Sequence, residues 1–292
     1  MGVVAIHILN ALLYSSVLFL IAGGLSLIYG VMRILNLAHG NLYALGAFVT
    51  AWAIGLALNA GVPAGALFLL LPAGAIAAAA TGALIERTLL RPFYRRPEEY
   101  QLLMTFGLLM ILEDVIRFIW GPTPLTATSV YASLGSLEIG DARYPTYNVA
   151  IIAVGILAAI FLWAFIYRTR FGVLLRATSQ DKRMASALGV NVNRVYIQAF
   201  TLGCFMAGLG GAIVVPSQSA VLGMGVDALV LAFIVVVIGG LGSLEGALAG
   251  ALIVGVVREA GITFFPEVEL AVLYFIAAVV LLVRPAGLFG RA

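Results

Sequence analysis

The sequence contains very little charge. Only 10% of its 292 residues are Asp, Glu, Lys or Arg, whereas 63% are hydrophobic. A typical soluble domain has about 25% charged residues. A soluble core of this length could not hide so much apolar surface from water, so the composition excludes a soluble globular protein and predicts an integral membrane protein.

Cysteine and histidine are equally scarce. A single cysteine, Cys204, excludes an intrachain disulfide and is expected to be a small buried packing residue within its apolar run. The two histidines, His7 and His39, cannot supply a zinc ligand set with that one thiol. The sequence also lacks a glycine-rich phosphate loop that ends in Lys-Ser or Lys-Thr. We therefore expect neither an enzyme nor a chain that itself binds metal, ATP or another cofactor.

Long apolar runs dominate the rest of the chain. An apolar helix of about 20 residues spans the hydrocarbon core of a bilayer, and the first run lacks the basic start and cleavage site of a removed signal peptide. The pattern predicts an all-α, polytopic membrane protein of about eight or nine transmembrane helices in one domain, residues 1–292. The runs are 5–32, 38–58, 64–86, 101–119, 149–167, 197–215, 227–240, 245–258 and 269–283.

The seventh and eighth runs are irregular. As one helix, their combined length of about 48 Å would exceed a core of about 30 Å. Split at "GGLGSLEG", residues 239–246, each half is too short for an ordinary span. Broken or re-entrant helices are tolerated where the backbone lines a cavity or is buried in protein, so we predict short, broken helices here.

The basic residues predict the orientation. Thirteen of the sixteen fall after the first, third, fifth and ninth runs, and the bias of Lys and Arg towards the cytoplasm places that side inside. The N-terminus is then outside the membrane and the C-terminus inside. Residues 120–148 form an external loop with room for a short lid element. Since orientation explains the net charge of +3, no nucleic-acid partner is expected. The three basic residues on or near the other side are Arg117, Arg143 and Arg258.

Polar side chains interrupt the boundary between the first two runs. The segment "RILNLAHGNLYALGA" contains Asn36, His39 and Asn41. Polar groups at membrane depth cost free energy unless they are paired, so a pore-lining role is one interpretation. A turn at the cytoplasmic interface, with a capping Asn and a hydrated His, is the other, and the residues alone leave both open.

The pore interpretation gives a specific hypothesis about the solute path. We expect these three polar residues to lie beside the break at 239–246, where helix ends and freed backbone groups can bind a zwitterion. The break would contribute the glycines Gly239, Gly240 and Gly242. Elsewhere, Glu113 and Arg117 have the spacing of a helical ion pair.

The charge that the chain does have is concentrated in one segment. Residues 168–194, hereafter the charged segment, hold seven of the 29 charged residues and the only lysine, Lys182. Long apolar runs flank it on both sides, so it is a connection between two spans. The bias of the basic residues places this connection on the cytoplasmic surface. The whole cytoplasmic connection, which contains the charged segment, is about 168–196.

The charged segment has the signals of a short helix. Ser179 can cap it, Asp181 suits its positive end, and Gly189 can end it in the left-handed conformation. Met184 and Leu188 are four residues apart and form a small apolar face. We predict a helix of about nine residues, and a cap together with an apolar stripe favours docking onto a partner protein over a solvated loop.

Four motifs together resemble the LivH-type permease subunits of branched-chain amino acid ABC importers. The motifs are "NLAHGNLYALGA", "RATSQDKRMASALGVNVNRVY", "GGLGSLEGALAGALIVG" and "RPAGLFG". The resemblance covers nearly the whole chain. It implies a type II-like ABC importer permease fold and import of branched-chain amino acids by alternating access. Similar permeases carry urea, amides or aromatic acids, and a secondary transporter that works alone remains the alternative from another class.

The resemblance also implies partners and a coupling site. The partners are a second permease subunit, homologous or identical, two cytoplasmic ATPases that use ATP and Mg, and an external solute-binding protein. Of the importer loop pattern Glu-Ala-Ala followed by Gly, only Ala185 and Gly189 match here. The resemblance places ATPase coupling on Ser179, Asp181, Lys182, Arg183, Met184, Ala185, Leu188 and Gly189.

Overall fold

Helices make up most of the part of the chain that the structure describes. The computed structural model describes residues 2–94, 96–140, 142–264 and 266–290. Its helices are α1 (Gly2–Met32), α2 (His39–Asn59), α3 (Leu71–Ile85), α4 (Glu98–Trp120), α5 (Thr128–Ser133), α6 (Thr146–Arg168), α7 (Arg170–Gln180), α8 (Lys182–Ala187), α9 (Val192–Val214), α10 (Met224–Gly239), α11 (Leu244–Phe264) and α12 (Glu269–Val283). A 3₁₀ segment, Ala64–Leu70, precedes α3, and a π segment, Glu86–Leu90, and a 3₁₀ turn, Arg91–Phe93, follow it.

Every predicted apolar run coincides with a helix. Six helical stretches are long and apolar enough to cross a membrane by length and composition within the described residues, and α10 and α12 are shorter apolar helices. The remaining apolar run, 101–119, corresponds to α4, which has 23 residues but also carries several charges. The all-α, polytopic class is confirmed. The six stretches are Gly2–Met32, His39–Asn59, Ala64–Phe93, Thr146–Arg168, Val192–Val214 and Leu244–Phe264.

The two ends of the helix bundle differ. At one end, residues 121–145 form α5 and a hairpin of β1 (Ser136–Ile139) and β2 (Ala142–Pro145), paired antiparallel. Leu125 pairs with Ala220 by two backbone hydrogen bonds there, which joins this loop to residues 215–223. The short element expected in the loop is present, and the hairpin was not predicted. This is the hairpin end; α7 and α8 lie at the opposite, charged end.

Glycines bring the central helices together. A Cβ on Gly46 of α2 would overlap the Gly208 carbonyl of α9, and one on Gly24 of α1 would overlap the Gly203 carbonyl of the same helix. Such small residues let helix backbones approach closely, which strengthens van der Waals contact in lipid. Cys204 is fully buried beside Gly82, as expected of a packing residue. The core of the bundle therefore lies where α1, α2, α3 and α9 cross.

The break between α10 and α11 is confirmed, but only the first half is short. α10 has 16 residues, about 24 Å, whereas α11 continues beyond the predicted end at residue 258 and has 21. The prediction of two short halves was wrong because Arg258 does not end the helix. Its Nε donates to Glu269 Oε1 at 2.9 Å, and its guanidinium lies 4.8 Å from the Tyr14 ring centroid, so the charge is accommodated.

The ion pair predicted between Glu113 and Arg117 is also wrong. Within the described residues these side chains form no salt bridge; instead, Glu113 Oε1 accepts a hydrogen bond of 2.7 Å from the Gly223 backbone N–H. Gly223 has a φ of +86° immediately before α10, where its N–H lacks a partner within the helix. The carboxylate supplies that partner and ties α4 to the start of α10.

Candidate functional site

Several carbonyl groups at the glycine break are paired within the chain. The carbonyls of Ile238 and Gly239 accept hydrogen bonds of 2.9 Å from the N–H groups of Leu288 and Phe289. Ser26 Oγ donates to the carbonyl of the fourth loop residue, Ser243, at 3.0 Å. Two of the last carbonyls of α10 are thus paired within the chain.

Close backbone packing explains the glycines themselves. Gly240 and Gly242 have φ values of +108° and +79°, which favour glycine. A Cβ on Gly239 would overlap the Gly246 carbonyl, one on Gly240 would overlap the Gly290 N–H, and one on Gly242 would meet Gly30 at 2.8 Å. The structure assigns these glycines a packing environment at the charged end of the bundle.

The three polar residues, one before α2 and two in its first turn, are fully buried. Asn36 Oδ1 accepts from the Ala38 N–H at 3.2 Å, His39 Nε2 is 3.0 Å from the Ile21 carbonyl oxygen, and Asn41 Nδ2 donates to the Leu109 carbonyl at 2.6 Å. The interpretation of a hydrated interfacial histidine is therefore wrong. We call residues 34–41 the buried polar segment.

The buried polar segment lies deep in the bundle. Ile21, the partner of His39, precedes the end of α1 at Met32 by eleven residues, which is about 16 Å along the helix. The chain therefore turns back after α1, and α2 starts well inside the bundle. Tertiary contacts with α1 and α4, which the sequence does not reveal, pair one side-chain atom each of His39 and Asn41 at this depth. Among the described residues, Asn36 Nδ2, His39 Nδ1 and Asn41 Oδ1 are buried without a hydrogen-bond partner.

The α2 end of this segment contacts the start of α10 and not the break. The Asn41 side chain abuts Gly225 in the first turn of α10, and Gly40 packs against the same glycine. The break follows Gly239 at the other end of α10, about 21 Å farther along the helix axis. Asn41 is therefore separated from the three glycines of the break by most of the length of α10.

An open cleft lies on the hairpin side of the buried polar segment. It has about 600 Å³ of empty space, a figure that includes the open solvent at its mouth. Ile21 and Tyr43 form part of its floor, and Tyr43 is one turn of α2 beyond His39. Arg258, Ser217 and other side chains of α1, α9, α10 and α11 complete this hairpin-side cleft.

A second cleft lies on the opposite side. It has about 1030 Å³ of empty space, also counting its mouth, and is lined by Ile34, Tyr196, Lys182 and Arg183, among others. This charged-side cleft lies between α8 and the bundle. Ile34 lines one cleft and Tyr43 the other, so the chain between these two residues connects the two clefts.

A buried carboxylate borders the charged-side cleft. Glu86, fully buried, accepts a hydrogen bond of 2.5 Å from the Tyr94 hydroxyl and one of 3.2 Å from Arg91 Nη2. Burial, with a further contribution from Glu86, raises the pKa of Tyr94 far above its usual value, so this hydroxyl stays a donor. The Tyr94 ring packs edge-on against Tyr196 at 5.1 Å. Glu86 was not predicted; its position in an apolar run was the available signal.

The cap of the surface helix differs from the prediction. Asp181 is the N-cap of α8, and its Oδ1 accepts from the N–H groups of Arg183 at 2.8 Å and Met184 at 3.0 Å. These hydrogen bonds lower the pKa of Asp181. Ser179 is not a cap, because it lies in the last turn of α7 and donates to the Arg176 carbonyl at 2.8 Å. α8 consequently has six residues, not nine.

The predicted apolar face is present and exposed. Met184 is 59% exposed and Leu188 is 77% exposed, whereas Ala185 is buried. Gly189 follows with a φ of +85°, so it adopts the left-handed conformation that was predicted. Apolar side chains on a charged surface helix form a small contact patch, which we call the α8 patch, Met184 and Leu188.

Comparison with known proteins identifies the family. Residues 7–283 match the model of the family described as branched-chain amino acid transport system / permease component. The chain is 31% identical to the high-affinity branched-chain amino acid transport system permease protein LivH of Salmonella typhimurium, over 97% of this chain and 94% of that protein. The corresponding protein BraD of Pseudomonas aeruginosa is 30% identical over 98% and 95%.

A solved structure, PsaBC from Streptococcus pneumoniae in complex with Fab, aligns with 17% identity and a TM-score of 0.46, covering 95% of this chain and 90% of that one. The family model and the full-length relatives agree with the helical, apolar architecture. They describe a transport component and not an enzyme. The chain belongs to the family of permease components of branched-chain amino acid transport systems.

Proposed function

We propose that this permease moves branched-chain amino acids inward across a bacterial plasma membrane as one subunit of an ABC importer. The observation that carries the proposal is the full-length similarity to branched-chain amino acid permeases, joined to two clefts on opposite sides of one closed segment. Alternating access requires such an arrangement, in which a solute site opens to one side at a time. The hairpin end faces outside and the charged end faces the cytoplasm.

The buried polar segment acts as the gate between the clefts. His39 and Asn41 are held by backbone carbonyls of α1 and α4, and Asn41 touches the first turn of α10. A shift of α10 or α4 would release these contacts and connect the two clefts. Of the path residues predicted from sequence, we retain Asn36, His39 and Asn41 in this role.

The three glycines of the break act differently. Gly239, Gly240 and Gly242 pack against other backbone segments and leave little room for a solute. We propose that they form a hinge between α10 and α11, on which α10 can move. Their contribution to the solute path is then conformational.

The α8 patch couples the permease to an ATPase. Leu188 and Met184 present apolar surface to the cytoplasm, and buried apolar contacts contribute most to the stability of a protein–protein interface. Asp181 and Gly189 fix the two ends of the short helix, while Lys182 and Arg183 lie at the charged-side cleft behind it. A displacement of α8 would therefore directly change the charged-side cleft.

The remaining partners complete the importer. As a transport-system permease the chain works with an ATPase and a solute-binding protein; we further propose two ATPases, which use ATP and Mg, and a second homologous or identical permease subunit. An external binding protein would dock at the hairpin end, next to the mouth of the hairpin-side cleft. The chain itself binds no nucleotide in this proposal.

Reconstitution tests the function. The permease, purified with its partner subunits in proteoliposomes, should take up L-leucine only when ATP is supplied on the ATPase side and loaded binding protein on the other. A complex that transports leucine without ATP, driven by an ion gradient, would contradict the proposal and favour the secondary transporter. A complex that transports urea or aromatic acids in place of leucine would contradict only the substrate.

A further inference from the structure

An arginine lies within the apolar bundle at the hairpin-side cleft. Arg258 is in α11, its side chain is 27% exposed, and it is the one charged side chain among the described residues that line the cleft. Charged groups at membrane depth are costly and face a cavity or a partner, so they mark functional sites. Arg258 does both, since it faces the cleft and pairs with Glu269.

The partner of Arg258 leaves part of the guanidinium available. Its Nε donates to Glu269 Oε1 at 2.9 Å, and its guanidinium carbon lies over the Tyr14 ring, 4.8 Å from the centroid. A guanidinium has five N–H donors. Among the described residues, the hydrogen bond to Glu269 is the only one that the Arg258 side chain donates. The Nη groups can therefore bind a carboxylate through two parallel hydrogen bonds, the geometry that guanidinium favours.

The rest of the cleft suits the other parts of an aliphatic amino acid. Ser217 and Gln218, in the loop after α9, and the Tyr43 hydroxyl supply polar groups that can accept from an ammonium. Val17 and Leu231 supply an aliphatic wall. A mostly apolar cleft with a few convergent polar groups is typical of small-molecule sites.

We infer that the hairpin-side cleft is a solute-binding site of the permease, in which Arg258 binds the α-carboxylate of the transported amino acid. The inference rests on the proposed function and locates its outer site. Tyr14 and Glu269 hold the guanidinium in place from two sides. Behind the floor residue Ile21 lies His39 of the gate, so a solute bound here is next to the segment that must open.

Charge substitutions separate this role from a structural one. If Arg258 only joins α11 to α12, Arg258→Gln and Glu269→Gln should impair uptake equally, and the double variant should recover. If Arg258 binds the carboxylate, Arg258→Gln should lower leucine uptake by about tenfold or more, the equivalent of one charge-assisted hydrogen bond. Glu269→Gln should then have the smaller effect, and the double variant should remain as impaired as Arg258→Gln.

ATPase activity provides the control for assembly. In each variant complex, loaded binding protein should still stimulate ATP hydrolysis, because Arg258 lies far from α8. Recovery of uptake in the double variant would overturn the inference. Equal uptake by Arg258→Gln and the unmodified complex would overturn it as well.

Solute protection gives a direct measurement. Ser217→Cys places an accessible thiol at the cleft, Ser136→Cys places one on the exposed β1 strand as a matched control, and Cys204 is buried. In the complete complex with binding protein and ATP, L-leucine at ten times its apparent Kd should slow alkylation of Ser217→Cys by N-ethylmaleimide by about tenfold. Leucinamide, which lacks the carboxylate, should not protect it, and neither should protect Ser136→Cys.

The two hypotheses fail in different ways. Unchanged alkylation at Ser217→Cys while that complex transports leucine would place the solute elsewhere and overturn the site. If the Ser217→Cys complex does not transport leucine, Gln218→Cys replaces it in the same experiment. Absence of ATP-dependent uptake by the unmodified complex would instead overturn the proposed function.

Discussion

Asn41 Nδ2 donates a hydrogen bond of 2.6 Å to the backbone carbonyl of Leu109, a residue 68 positions away in the chain. A carbonyl oxygen has two lone pairs, so Leu109 can accept this bond in addition to its helical one. The contact fixes the start of α2 against the middle of α4, inside the bundle. Transport must break or shift it if α2, α4 and α10 are to move apart.

Removal of this contact should impair transport. Asn41→Leu replaces the amide with an apolar group of similar size and should lower the free energy of unfolding by about 1–3 kcal/mol, the cost of a lost buried hydrogen bond. Leucine uptake at matched expression should fall, while the ATPases still co-purify. Asn59→Leu, at the exposed end of the same helix, is the control and should transport normally.

His39→Ala should act in the same way, because it removes the contact with the Ile21 carbonyl and leaves a cavity in the gate. The measurement is again uptake at matched expression, with ATPase co-purification as the check on assembly. Full uptake by both His39→Ala and Asn41→Leu would show that these residues serve only the turn before α2.

The crossing of α2 and α10 predicts a sharp difference between two glycines. A Cβ on Gly40 would overlap the Gly225 carbonyl and also meet Leu229 Cβ at 2.7 Å, whereas nothing lies within 4 Å of one on Gly55. Gly40→Ala should therefore destabilise the protein by about 1–3 kcal/mol, the usual cost of overpacking.

Gly55→Ala, in the same helix, should be neutral or slightly stabilising because Ala has the higher helix propensity. The midpoint of thermal unfolding in detergent, followed by size-exclusion chromatography, measures both. Equal midpoints for the two variants would contradict the close approach of the helices at Gly40.

The α8 patch should matter more than the charges beside it. Leu188→Asp would bury an unpaired charge in the ATPase interface, which costs roughly 3–5 kcal/mol, more than a hundredfold in Kd. We expect ATPases to be lost from a pull-down with this variant, and uptake to fail. Lys182→Ala, at the start of α8 and at the charged-side cleft, should retain more binding.

Gly189→Val tests the end of the same helix. Its φ of +85° is unfavourable for any residue with a Cβ by about 1–2 kcal/mol, and more for a β-branched one. The helix should lose its defined end, and coupling should fail, although the membrane bundle still inserts because Gly189 has open space around it. Full ATPase binding and uptake in Leu188→Asp would refute the docking role of α8.

Thiol labelling tests the orientation. Ser179→Cys at the charged end should react with a membrane-impermeant reagent only after the cells are opened, and Ala132→Cys at the hairpin end should react in intact cells. The native Cys204 is buried and should contribute little background. Labelling of Ser179→Cys in intact cells would reverse the assignment of inside and outside.

Local patterns determined a large part of this protein. Apolar runs of about 20 residues gave the nine main helices because a single helix satisfies its own backbone polar groups, whatever its neighbours are. The left-handed Gly189 and the exposed pair Met184 and Leu188 were likewise predictable, because they depend on residues a few positions apart. The four sequence motifs sufficed to indicate the family.

Only the tertiary structure decided which polar groups meet. The partner of His39 is on α1, that of Asn41 is on α4, and that of Glu113 is the Gly223 N–H before α10. The length of α11 likewise depends on Glu269 and Tyr14, which accommodate Arg258. A membrane helix forms from its own sequence, but a charge or amide inside the bundle needs a partner that other helices supply. For that reason the sequence located the polar residues, and the packing of the helices determined which contacts each of them makes.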